Sequence, residues 1–126
     1  MYMTDDRWPY PLHDRALDLG RGHRVQLYNV IAFSAGGPPS FGIQYGSVLP
    51  RADAEGRLRE AEAVIRHFGP LFDERKAQTA SAQVCGTPAQ AETREPPEQI
   101  FAFERTAGGA WVCTGEIELP PSRPSA

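Results

Sequence analysis

The runs HRVQLYNVIAF (His23–Phe33) and FGIQYGSVL (Phe41–Leu49), joined by SAGGPPS, decide the fold of this 126-residue chain. Both alternate apolar and other residues and are rich in Val, Ile, Tyr and Phe, which marks strands, while the glycines and prolines between them mark a loop. Pairing Phe33 with Phe41 sets Leu27 opposite Ser47, Asn29 opposite Tyr45 and Ile31 opposite Ile43. One side of the hairpin is then apolar, and a slip of one residue would turn one strand's apolar set outward. On the reverse side Tyr28 lies across from Gly46, an aromatic ring over bare backbone.

Outward from this hairpin, DAEGRLREAEAVIRHF (Asp53–Phe68) carries Leu58, Ala61, Val64, Ile65 and Phe68 as one helical stripe. Asp53 caps its start and Gly69-Pro70 ends it. Glu55–Arg59 and Glu62–Arg66 are i,i+4 pairs that place the helix's charge on a solvated face. The alanines and early acids of the segment from Leu71 to Gly86 suit a second short helix opened by Pro70, but it has no helical stripe and Ala80, Ala82 and Val84 recur at period two, so the balance favours a strand near Lys76–Cys85. A second hairpin turns at Gly108-Gly109. A two-residue turn there pairs Phe101 with Glu116. A three-residue loop with a glycine bulge pairs Phe101 with Ile117 and gathers Phe103, Trp111 and Cys113 on the same side, and burial favours this second register. Before the first strand, Pro11–Leu19 reads as a short helix ended by Gly20 and Gly22.

The expected fold is therefore α+β: an antiparallel sheet of four to five strands packed on, or curled around, one main helix, in the order (α)-β-β-α-β-β-β. Residues 1–126 form one domain, with an extended arm (1–11) carrying Trp8 and Tyr10, a surface loop (86–97) and a frayed tail (120–126).

Formal net charge is −3 and the arginines are scattered among acids, so no basic stripe for a nucleic acid exists. No basic segment followed by an apolar run opens the chain, and no run approaches membrane-spanning length. The expectation is a cytoplasmic protein without a membrane partner, with reduced thiols. Phosphate-loop, dinucleotide, nucleophile-elbow and zinc-protease motifs are missing, and no cofactor follows from the residues. Cys85, Cys113, His13, His23 and His67 lie too far apart in sequence for the close ligand pairs of structural zinc sites. Cys113 reads as a buried, inert core residue. Cys85, beside a turn, reads as the more exposed and reactive thiol.

The polar residues Asn29, Tyr45 and Ser47 interrupt the apolar side of the first hairpin. Mostly apolar surroundings with a few convergent polar groups are how small-molecule sites are built. The leading expectation is a non-catalytic binding domain for a small, largely apolar molecule between helix and sheet, with Asn29 and Tyr45 orienting it and Phe68 and Trp111 packing against it. The alternative is a protein–protein interaction module, of inhibitor or immunity type or self-associating, using the face of Tyr28 and Gln44 or the Trp8/Tyr10 arm. A third reading is an enzyme with a scattered acid–base pair such as His23 with Glu104.

Overall fold

A computed structural model describes residues 2–4, 15–33, 36–87 and 97–117. The arm residues Trp8 and Tyr10, His13 and the tail 120–126 lie outside them, as does most of the surface loop. Among the described residues seven strands form one sheet: β1 (Tyr2–Thr4), β2 (Arg15–Asp18), β3 (Arg24–Phe33), β4 (Ser40–Gly46), β5 (Thr79–Val84), β6 (Gln99–Arg105) and β7 (Trp111–Ile117), with one helix, α1 (Ala54–Glu74), between β4 and β5. β1 and β2 pair with opposite ends of β3, so the seven strands fill six positions in the order β1/β2-β3-β4-β5-β6-β7. Every pairing is antiparallel except β4–β5, which is parallel. The fold is α+β as expected, but the sheet is mixed and wider than four to five strands.

The mixed topology follows from the helix. Asp53 caps it, its carboxylate accepting from the Gly56 amide at 2.9 Å. α1 does not stop at Gly69-Pro70 but runs on to Glu74. Its 21 residues span about 31 Å, enough to carry the chain back along the sheet, so β5 enters beside β4 in the same direction. The extra turn buries Leu71 and Phe72. The Phe72 ring stacks on Phe41 at 5.5 Å and meets Trp111 edge-on at 5.2 Å. Burying two such side chains contributes roughly 1.5–3 kcal/mol each, which offsets the roughly 3 kcal/mol penalty of an interior proline. Pro70 itself points to solvent. Two residues past the end of the helix, Lys76 takes a left-handed φ of 58°. The Ala77 amide donates to the Phe72 carbonyl and the Lys76 amide to that of Asp73, a Schellman closure without glycine.

Residues 15–18 are strand rather than helix. Gly20, Arg21 and Gly22 all take positive φ (95°, 54° and 76°), so the glycines that would end a helix instead turn a β2–β3 hairpin. In the first long hairpin Phe33 faces Ser40 and Ala32 faces Phe41, one residue from the expected register, and the pairing shifts between Leu27 and Asn29. Tyr28 is the extra residue of a β-bulge. The bulge keeps Val25, Leu27 and Val30 together on the core face despite their uneven spacing, and it moves Asn29 to the opposite face. In the second hairpin Phe101 faces Glu116 while Phe103 faces Cys113, with an irregularity at Thr114. The favoured register, Phe101 with Ile117, holds at no position; the two-residue alternative holds only from Ile100 to Ala102, and Ile117 lies opposite Ile100, away from the core.

The core lies between α1 and one face of the sheet. Ala61, Val64, Ile65, Phe68 and Phe72 of the helix pack on Phe41, Ile43, Tyr45, Ala82, Val84 and Phe103. Among the described residues no helix is long and apolar enough to cross a membrane. Pro70→Ala returns the amide donor missing opposite the Arg66 carbonyl. It is expected to raise the unfolding free energy by up to about 3 kcal/mol, measured as a higher urea midpoint at unchanged slope; a helix ending at Gly69 would give no gain.

Candidate functional site

The sheet face turned away from α1 carries the polar groups that alternation excludes from the core. Because the bulge sends both Tyr28 and Asn29 there, three strands contribute one directional hydrogen-bond chain. The Asn29 amide donates to Gln44 Oε1 at 3.0 Å, Gln44 Nε2 donates to Gln83 Oε1 at 3.3 Å, and Gln83 Nε2 donates to Ser81 Oγ at 3.1 Å. Gln44 and Gln83 are buried, so these bonds replace lost water contacts rather than adding to them. Glycine at 42 is what allows the chain to close. A Cβ there would strike the Gln83 amide and press on Ser81 Oγ at 3.2 Å. Tyr28 Oη likewise sits 2.6 Å from where a Gly46 Cβ would be, so the ring does cover that glycine.

Register aligns these residues into rows across the strands. Gln44, Gln83, Ile100 and Ile117 form one, and Ser40, Thr79, Glu104 and Val112 form another. Between them Ser81, Ala102 and Gly115 are too small to fill the space. The result is a groove of about 390 Å³ open on the helix-free face, with apolar Ile100 and Ile117 toward one end and Ser40, Thr79 and Glu104 toward the other. Glu104 is the one ionisable side chain lining it among the described residues.

On the core face a second polar cluster sits at the N-terminal half of α1. Glu60 is fully buried, yet its carboxylate accepts from Ser47 Oγ at 2.5 Å and meets His23 Nε2 at 2.5 Å. Arg57, also buried, donates to the Leu49 carbonyl, to Gln99 Oε1 at 3.1 Å and to Glu98 at 2.7 Å. These contacts tie the β2–β3 turn, the β4–α1 loop and the start of β6 to one helix. They satisfy the rule that a buried charge needs paired, hydrogen-bonded company.

The four residues expected to share a pocket are divided by the sheet. Tyr45 and Phe68 are core residues and Trp111 is half-buried against that core, whereas Asn29 is on the opposite face. Asn29 is bonded to Gln44, not Tyr45. The Tyr45 hydroxyl and Trp111 Nε1 are buried without a hydrogen-bond partner among the described residues. Burial first, and the Glu60 charge second, raise the Tyr45 pKa and hold its phenol neutral. His23 is joined to Glu60 rather than to Glu104, which lies in the groove on the other face.

The cysteines reverse the order of exposure expected of them, although Cys113 still packs against the core. Both are free; Cys85 is buried and Cys113 is half-buried. Burial, with a smaller contribution from the Glu98 charge, pushes the Cys85 thiol up to about 11. Among the described residues no group of three or more His, Cys, Asp or Glu is placed to hold a metal ion.

The sequence reading missed Glu60, Arg57, Gln83 and Ser81. Arg57 and Glu60 continue the stripe of Ala61, Val64 and Phe68 at helical spacing, a signal that polarity disguised. Gln83 and Ser81 alternate with Ala80, Ala82 and Val84, so their common face was legible once the segment was taken as strand. No family model matches the chain, and comparison with curated proteins and with solved structures gives no match.

Two measurements test this arrangement. Thiol labelling of native protein at pH 8 is expected to modify Cys113 and spare Cys85, both reacting after unfolding. The raised Cys85 pKa also means that the unfolded state, with an ordinary value of 9.0, loses its proton first. Stability from the neutral thiol is thus complete below about pH 9 and declines as pH rises toward about 11, and Cys85→Ala flattens that part of the profile. Separately, His23→Ala removes a partner of buried Glu60 and is expected to cost about 1–3 kcal/mol by urea denaturation, while Glu60→Gln, which can still bond both neighbours, costs less.

Proposed function

We propose that this chain is a non-catalytic binding domain that takes a small, largely apolar molecule in the groove on the helix-free face of the sheet. The observation that carries this reading is the concavity itself: about 390 Å³ between two rows of taller side chains, within the ~300–1,000 Å³ typical of small-molecule sites. Its chemistry supports the same reading, with Ile100, Ala102 and Ile117 as apolar surface and a few polar groups held in place by the amide chain. Fixed donors and acceptors orient a ligand without moving on binding. A cytoplasmic setting fits two unlinked thiols.

A second reading, a protein–protein interaction module, rests on β7. Among the described residues this strand pairs only with β6, and it carries Val112 and Ile117, two of the three exposed large hydrophobic side chains. A partner strand could extend the sheet there. Gln44 is too buried to contribute to such an interface, so β7 would be its centre.

Backbone-amide NMR titration with hexan-1-ol distinguishes the two readings. Ligand binding is expected to shift Ser81, Ala102 and Gly115, and Ala102→Trp, which fills the groove without entering the core, abolishes those shifts. Shifts confined to residues between helix and sheet, or none at all, would overturn the groove as the site. Concentration-dependent dimerisation by light scattering, lost on Val112→Lys with Ile117→Lys, would instead favour the β7 interface.

A further inference from the structure

The groove has a chemical direction, and from it we infer that the ligand carries a cationic amine seated at Glu104, with its apolar body lying toward Ile100 and Ile117. The inference rests on the groove being the binding site. Its basis is an accounting of protons at one end. The Thr79 hydroxyl donates to Ser40 Oγ at 2.9 Å, and the Ser40 hydroxyl donates to the Thr79 carbonyl at 3.2 Å. Thr114 Oγ1 is directed at the Ala102 carbonyl at 3.4 Å. A hydroxyl has one proton to give and lone pairs to receive. With their protons committed within the protein, these three hydroxyls offer the groove acceptors only.

Glu104 completes the set. Ionised, its carboxylate is also acceptor-only. It has no ion pair or hydrogen bond among the described residues. The arginine next to it, Arg105, turns to the other side of the strand and pairs with Asp73 of the helix at 3.3 Å. Three hydroxyl acceptors with one carboxylate, and no cation lining the groove among the described residues, form an end that a neutral or anionic group would leave unsatisfied. An ammonium, with three donors and a positive charge, matches it.

The opposite end excludes the reverse orientation. Ile100 and Ile117 face each other across β6 and β7 beside the Gln83 side chain, whose amide nitrogen donates to Ser81 Oγ and whose oxygen accepts from Gln44. That end presents hydrocarbon, so a molecule with an amine head and an alkyl or aryl body fits in one direction only. Glu104 is solvent-exposed, so the charge contributes selectivity more than affinity.

Three probes of equal chain length and different head group, hexylamine, hexan-1-ol and hexanoate, test this in full-length protein by amide NMR titration. The amine is expected to bind about two- to fivefold tighter than the alcohol, the range for an exposed ion pair, and the carboxylate weakest. The amine's advantage should shrink as salt is raised. Glu104→Gln, an exposed change that leaves the core untouched, is expected to bring amine and alcohol to equal affinity while the alcohol still shifts Ser81 and Ala102. Equal binding of amine and alcohol by the unaltered protein would overturn the amine assignment and leave the groove as the site. If none of the three probes shifts groove residues, the groove reading falls and the assignment with it.

Discussion

The structure depends on α1 passing Pro70 without a break. A helix that ended at Gly69 would leave Leu71 and Phe72 in a loop and β5 without a direct route to the side of β4. By continuing to Glu74, the helix seats Phe72 among Phe41, Phe68 and Trp111. It also crosses the sheet and makes the one parallel pairing, β4–β5, in an otherwise antiparallel set. One helix covers one face. The other face is left to whatever the strands themselves place there.

The bulge at Tyr28 determines what that is. A regular β3 would hold Val25, Leu27 and Asn29 on one side and Val30 on the other. One extra residue reconciles the apolar set, since Val30 joins Leu27 and Val25 against the helix and Asn29 joins Gln44 outside. The bulge therefore serves both faces. It completes the core and starts the amide chain that runs through Gln44 and Gln83 to Ser81, with Gly42 providing the room.

Polar residues in this protein are organised by burial rather than excluded by it. Arg57 and Glu60 extend the apolar stripe of α1 at helical spacing, where a charge would be costly alone. Each is surrounded by hydrogen-bonding partners brought from distant positions: His23 and Ser47 for Glu60, Glu98 and Gln99 for Arg57. The spacing was visible in the sequence. The partners were not, because they lie on other elements up to 42 residues away.

Local pattern alone determined the strands around Val25–Phe33 and Phe41–Gly46, the Asp53-capped helix, the strand rich in small residues and the glycine-turned hairpin, because alternation and helical spacing are carried by neighbouring residues. It also determined an α+β class and the absence of a basic stripe. Tertiary structure decided the rest. Whether Pro70 ends a helix depends on how much apolar surface lies beyond it. Which face Asn29 occupies depends on a bulge that only packing makes favourable. The order of exposure of Cys85 and Cys113 depends on how far the end of β5 and the edge strand β7 are covered. The groove exists only because register brings Ser81, Ala102 and Gly115 side by side, a distance relation across three strands that no single segment contains.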